Sequence, residues 1–277
     1  MPDPRGSRTV ARLSALYERA GGSRRSFPSL EEDGLRRLLE LQEQGLDLGI
    51  ADAARADARV EAIYANARAA LYAALDEAVL ADACGRWLPV RTIAGGRDRY
   101  LADPSAGERL CDEDVRAVSR LYPYRRPQVQ MVVSDGLNAN AVNEQLRGVL
   151  PALRRALVND GRQVGETAIA VRNGRVRAGY EIGASAGAEV VVHLIGERPG
   201  TGLNTLSAYV TWGRDEAGAL RWSRDMPHSM TSAVCGIHRK GKPAEGAVAE
   251  VSSLVARMFK ERRSGVALEG GGGGPSP

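Results

Sequence analysis

Apolar side chains recur along this chain with two different periods, and the change falls near residue 85. Before it, the steps are three and four residues. Val10, Leu13, Leu16 and Tyr17, flanked by Arg8, Arg12 and Arg19, predict a short amphipathic helix closed by Gly21 and Gly22. Leu35, Leu38, Leu39 and Leu41 predict a second helix after Pro28. Residues 51–83 are Ala-rich, with Val60, Ile63, Tyr64, Ala67, Leu71 and Leu75 at helical spacing, and predict one long amphipathic helix.

Beyond Cys84-Gly85 short β-branched runs alternate with helical stretches. Val129–Val133 predicts a first strand that ends at Ser134-Asp135-Gly136. Val142, Leu146, Val149, Leu153 and Leu157 then share one helical face, which Pro151 either kinks or divides and Gly161 terminates. Thr167–Val171 predicts a second strand, turning at Asn173-Gly174. Val190–Ile195 and Leu206–Trp212 predict two more, and a last helix opens near Pro243 and buries Ala247, Val251, Leu254, Val255 and Met258. Strands alternating with helices predict an α/β fold, a mostly parallel sheet with helices on both faces, preceded by a helical N-terminal region. The implied domains are a helical extension over 1–84, the sheet domain over 85–268 and a disordered Gly-rich tail over 269–277. Ligands of such sheets bind where loops leave the carboxyl ends of the strands.

Composition narrows the classes. The 38 Lys and Arg stand against 34 Asp and Glu, interspersed, so the net charge of +4 forms no basic stripe with interleaved aromatics and argues against nucleic-acid binding. Cys84, Cys111 and Cys235 are odd in number and far apart, which argues against a disulfide framework or a zinc site and suits a reducing cytoplasm. Apolar runs such as Ala188–Ile195 fall far short of the ~20 residues a membrane helix needs. No apolar core of the secretory kind opens the chain. The N-terminal amphipathic helix is of a kind that docks or packs, and less commonly addresses a protein to a compartment.

Two loops are candidates for chemistry. Gly196-Glu197-Arg198-Pro199-Gly200-Thr201-Gly202 puts three glycines around a carboxylate and a guanidinium at a strand end. Backbone there can come close to a large polar ligand, and Glu197 can accept hydrogen bonds from amide or hydroxyl donors. The plainer reading is a structural loop in which Glu197 and Arg198 pair with neighbours. In Ser134-Asp135-Gly136-Leu137-Asn138, Ser134 or Asp135 is expected to cap the following helix.

Other motifs carry less. His193 and Gly196 make a His-x-x-Gly fragment, but Val191 stands where an aspartate would orient the imidazole, so His193 is read as a core histidine and not a cobalt ligand. Gly236-Ile-His-Arg-Lys-Gly241-Lys242 imitates a phosphate loop, yet Pro243 replaces the Ser or Thr that would hold magnesium, and no clear strand is read before it. Cys235 with His228 or His238 lacks a third orienting residue. A Rossmann Gly-x-Gly-x-x-Gly is absent.

Taken in order, Gln128-Val-Gln-Met-Val-Val-Ser134-Asp135-Gly136-Leu137, Gly174-Arg175-Val176, Glu181-Ile182-Gly183 and Val192-His-Leu-Ile-Gly196-Glu197-Arg198-Pro199-Gly200 resemble the light chain of ethanolamine ammonia-lyase. Arg99-Tyr100-Leu101, Pro104, Gly107, Arg109-Leu110 and Ser264-Gly265 extend the likeness, which covers about residues 85 to 268. The resemblance implies a Rossmann-like domain over 85–268 that helps hold adenosylcobalamin against a barrel-shaped large subunit, in a hetero-oligomer that converts ethanolamine to acetaldehyde and ammonia. It implies a cytoplasmic protein, in some bacteria housed in a microcompartment. The cofactor supplies the radical chemistry. The family's substrate pocket belongs to the large subunit, so no catalytic residue is expected in this chain.

Position by position, Val176 and Glu197 match residues that line the cobalamin, with Arg198 adjoining. A family cysteine in the loop before the last helix aligns with Ala233, and Cys235 stands two residues later. The alternatives are a non-catalytic paralogue acting as a binding or assembly protein, and an independent nucleotide-using enzyme supported by fold class alone. The cobalamin reading requires Val176 and Glu197 to share one rim of the molecule.

Overall fold

The computed structural model describes residues 50–199 and 203–269, together with helical backbone at Ala11, Arg12, Ala15, Leu16, Glu18 and Arg19. The rest of the first predicted helix, the whole of the second, Gly200–Gly202 and the tail from Gly270 lie outside the described residues. The chain divides into two compact units, Met1–Arg68 and Ala69–Pro277.

The helix predicted over 51–83 is two helices, α1 (Ile50–Tyr72) and α2 (Glu77–Cys84). Asp76 causes the break. Its backbone is extended, and its carboxylate accepts the N–H groups of Ala78 and Val79 as an N-cap. Asn143 clasps the same turn, accepting from the Asp76 N–H and donating to the Ala74 carbonyl. Ala73 and Ala74 suit a helix and Leu75 keeps the spacing, so the apolar pattern runs through the break unmarked. On α1, Val60 and Tyr64 are exposed; on α2, Val79, Leu80, Ala83 and Cys84 are buried in the main core.

The sheet has six strands: β1 (Trp87–Arg91), β2 (Val129–Ser134), β3 (Ala168–Arg172), β4 (Val190–Gly196), β5 (Leu206–Trp212) and β6 (Thr231–Ile237). Their order is β1-β3-β2-β4-β5-β6. β1, β3, β2 and β4 are parallel, whereas β5 runs antiparallel to both β4 and β6. The sheet is therefore mixed: four strands run parallel, in keeping with the mostly parallel sheet expected, and the last two pair antiparallel. Among the described residues the connections 197–205 and 213–230 contain no α-helix, and a strand that returns without a crossover pairs antiparallel.

Between the strands lie α3 (Arg97–Ala102), α4 (Asp112–Ser119), α5 (Ala139–Asn159) and α6 (Ala178–Ala186), and after β6 come α7 (Ala244–Glu261) and α8 (Val266–Glu269). α2, α5 and α7 cover one face of the sheet with Leu146, Leu150, Leu153, Leu157, Val251 and Val255 against Val129, Met131, Val133, Leu194 and Val210. α5 continues through Pro151 as a single helix. α4 and α6 cover the other face, where Val118, Ala178 and Ile182 meet Val90, Val132, Ile169 and Val191. That cover stops short of β6, whose Ala233 and Cys235 are exposed.

Candidate functional site

β2 is followed in the sheet by β3 on one side and β4 on the other, so the strand order reverses at β2. Loops leaving adjacent strands diverge at such a point and open a crevice at the carboxyl edge. A cleft of about 100 Å³ lies there. Gly136 and Leu137 line it from the loop after β2, Arg175 and Val176 from the loop after β3, and Ile195, Gly196 and Glu197 from the end of β4. Tyr100 of α3 and Tyr209 of β5 complete it. A larger groove of about 550 Å³ lies among Arg86, Tyr122, Tyr124, Arg125 and Glu166, but at the amino ends of the strands, away from these loops.

The loops after β2 and β4 touch backbone to backbone. Leu137 N–H donates to the Gly196 carbonyl at 2.9 Å. A Cβ on Gly136 would stand 2.3 Å from that oxygen, and one on Gly196 would stand 2.0 Å from the Asn138 carbonyl. Gly136 also holds φ +53. These two glycines thus serve the contact between the loops; for Gly196, close approach to a ligand was expected.

The loop after β3 is fixed by a buried carboxylate. Asp135 accepts from the N–H groups of Asn173 (2.9 Å) and Gly174 (3.2 Å), and Arg97 Nη1 lies 3.4 Å from its Oδ2. Burial pushes its pKa above the ordinary carboxylate value, against the opposing pull of those N–H donors and Arg97. Ser134 and Tyr100 hydroxyls both donate to the Gly174 carbonyl at 3.1 Å. The expected capping role of Ser134 or Asp135 is not seen. α5 begins later, at Ala139, and Asn138 caps it through the Ala141 N–H.

Segments that carried the resemblance converge on this frame. Gly107 lies against the Tyr100 ring, and its carbonyl accepts from the Arg175 N–H at 2.7 Å. Glu181 accepts from the Leu110 N–H and from Arg224. Gly183 leaves room for the Trp222 indole, which a Cβ would meet at 2.5 Å. Ser264 Oγ accepts from the Trp212 N–H, and Gly265 N–H donates to Ser232. Glu181, Gly183, Ser264 and Gly265 are thus structural clasps away from the cleft.

Val176 and Glu197 line one cleft, as the cobalamin reading requires. Tyr209 donates to Glu197 Oε1 at 2.8 Å, and burial, followed by this bond, raises the Tyr209 pKa. Arg198 is exposed and does not line the cleft. Ala233 and Cys235 lie outside it too, on strand β6 where a loop was expected; Ala233 is opposite Tyr209 in the sheet. Tyr100, Arg175 and Tyr209 were not singled out from sequence. Tyr100 and Arg175 stood inside quoted motifs, whereas Tyr209 is a strand residue with no motif around it.

The other candidates resolve locally. His193 is 1 % exposed, facing α6 at Gly179, and its ring nitrogens find only a poorly aligned polar neighbour in the Val176 backbone. Burial holds its pKa down at about 4, only partly offset by the Val176 backbone. The Gly236–Lys242 loop does follow a strand, β6, contrary to expectation. Yet its N–H groups turn inward: His238 to Lys242 O, Gly241 to His238 O, Lys242 to Gly236 O and Lys240 to His238 Nδ1. Lys242 Nζ pairs with Glu250. These four N–H groups are therefore not available to cradle a phosphate. Among the described residues no three His, Cys, Asp or Glu side chains group to hold a metal ion, and no helix is long and apolar enough to cross a membrane.

Compared with known families, the chain matches the family model described as ethanolamine ammonia-lyase light chain (EutC) over residues 40–269. The match begins well upstream of the quoted motifs, inside the helical segment, and takes in both α1 and α2.

Proposed function

The chain belongs to the ethanolamine ammonia-lyase light-chain family, and from that premise we propose that its carboxyl-edge cleft supplies one wall of an adenosylcobalamin site completed by the large subunit. As a light chain it is the small subunit of a carbon–nitrogen lyase, and a light chain implies a hetero-oligomer. We read the four parallel strands as its Rossmann-like, cofactor-holding part.

The observation that carries the proposal is the convergence of Val176 and Glu197 in one cleft at the point where strand order reverses. The cleft volume, about 100 Å³, is about three waters' share of liquid volume. It admits an edge of a corrinoid and not its ring. The chemistry of the lining suits such an edge. Glu197, held by Tyr209, would accept from the amide N–H groups that rim a corrinoid, Val176 would offer an apolar contact, and Arg175 brings a guanidinium with no carboxylate partner among the described residues. When bound, adenosylcobalamin supplies the radical chemistry; this chain orients it and shields one side from water. Arg198, Ala233 and Cys235, outside the cleft, would meet the cofactor or the large subunit only at its margin. The cytoplasmic, microcompartment-associated setting belongs to the same reading.

The test is reconstitution with the large subunit. Glu197→Gln should raise the cobalamin dissociation constant about tenfold, the worth of one charge-assisted hydrogen bond, while leaving the melting temperature of the cofactor-free complex unchanged. Equal loss of thermal stability without cofactor, or unchanged affinity, refutes it.

A further inference from the structure

Two guanidinium groups lie over the Tyr100 ring, Arg97 at 4.7 Å and Arg175 at 4.4 Å from its centroid. Each is a full charge brought partly out of water. Arg97 is neutralised by Asp135. Arg175 has no carboxylate within ion-pair distance among the described residues, and its Nε is buried without a hydrogen-bond partner. An N–H closed off from solvent cannot itself reach a ligand, so what Arg175 offers the cleft is the open end of its guanidinium, the charge still lacking a counter-ion. The Arg175 main chain is anchored to Gly107, and its side chain lines the cleft that Glu197 also lines, with no ion pair between the two. The cleft is therefore polarised, cationic at Arg175 and anionic at Glu197.

We propose that Arg175 is an anion-recognition residue that takes the phosphate of the cobalamin nucleotide tail. The assignment rests on the cobalamin reading and deepens it. A guanidinium presents a fork of N–H donors matched to phosphate oxygens, and stacking on Tyr100 fixes its plane before the ligand arrives. Cobalamin carries one phosphate and several side-chain amides, so a single cation and a single carboxylate suffice to set its direction. The volume of the cleft fits a tetrahedral anion or an amide edge.

The experiment compares corrinoids that differ in that group. The complex of this chain with its large subunit is titrated spectrophotometrically with hydroxocobalamin, cobinamide phosphate and cobinamide, as wild type, Arg175→Gln and Arg175→Lys. Arg175→Gln should weaken the two phosphate-bearing ligands roughly ten- to hundredfold and leave cobinamide within about twofold. Arg175→Lys, which keeps the charge without the fork, should recover part of the loss. Equal losses for all three ligands, or none, overturn the assignment. If Arg175→Gln does not assemble, Arg175→Lys decides by the same comparison, a severalfold loss confined to the phosphate-bearing pair being the expected result. A wild-type complex that binds corrinoids but no tighter with phosphate than without overturns the Arg175 assignment alone. One that binds no corrinoid overturns both this and the cofactor reading.

Discussion

Acidification should destabilise this protein in part through one identifiable imidazole. His193 is buried in β4 with a pKa of about 4, against an ordinary value of 6.5. The folded chain therefore binds fewer protons than the unfolded chain between those values, and stability falls as pH falls. The contribution is complete above about pH 6.5. Each tenfold difference in proton affinity between the folded and unfolded chain is worth about 1.4 kcal/mol. The contribution is thus reduced by about 2 kcal/mol at about pH 5 and by roughly 3 kcal/mol below about pH 4. The assay is urea unfolding at a series of pH values for the wild type and His193→Leu. Carboxylates titrate in the same range, the buried Asp135 among them, but they are common to both proteins and cancel in the difference. Wild type minus variant should thus fall by about 2 kcal/mol from about pH 7 to about pH 5. Parallel profiles would show that the imidazole is hydrated or hydrogen-bonded in solution, and the burial argument would be wrong.

Three further outcomes follow from the loop frame and the thiols. Gly136→Ala should destabilise by about 1–2 kcal/mol from its left-handed backbone alone, and by more because the new Cβ meets the Gly196 carbonyl. Gly161→Ala, at φ +77 at the end of α5 with open space around it, is the control, and equal losses would remove the clash from the account. Asp135→Ala strands Arg97 and two N–H groups in the interior and should cost about 3–5 kcal/mol by chemical denaturation; a loss under about 1 kcal/mol would mean water replaces the carboxylate. In an alkylation time course on the native chain, exposed Cys235 should react first and Cys84 only on unfolding, since burial raises the Cys84 pKa to about 11. Early labelling of Cys84 would refute its burial.

What was legible in the sequence was set by side-chain period. β2, β4 and β5 are runs of alternating or continuous apolar residues, and α5 and α7 keep a helical stripe, so each was found within a residue or two. β1 was hidden by Pro89, tolerable because β1 is an edge strand, and β6 by its small residues and Gly236. The break at Asp76 was masked by alanines on either side. At the site, glycine-bearing loops announced the two walls, but the division of labour within them was not readable. Asp135 reaches across to the next loop instead of capping its own helix, a choice set by long-range contact that no local pattern records.

The two antiparallel returns have a consequence for assembly. A crossover connection deposits a helix on the sheet each time it is made; a strand that simply doubles back deposits none. Over β6 this leaves Ala233 and Cys235 facing outward next to the Glu197 rim. Among the described residues no element covers that side, so a second polypeptide approaching there would meet a finished surface, and the rate of such an encounter would be set by diffusion and orientation.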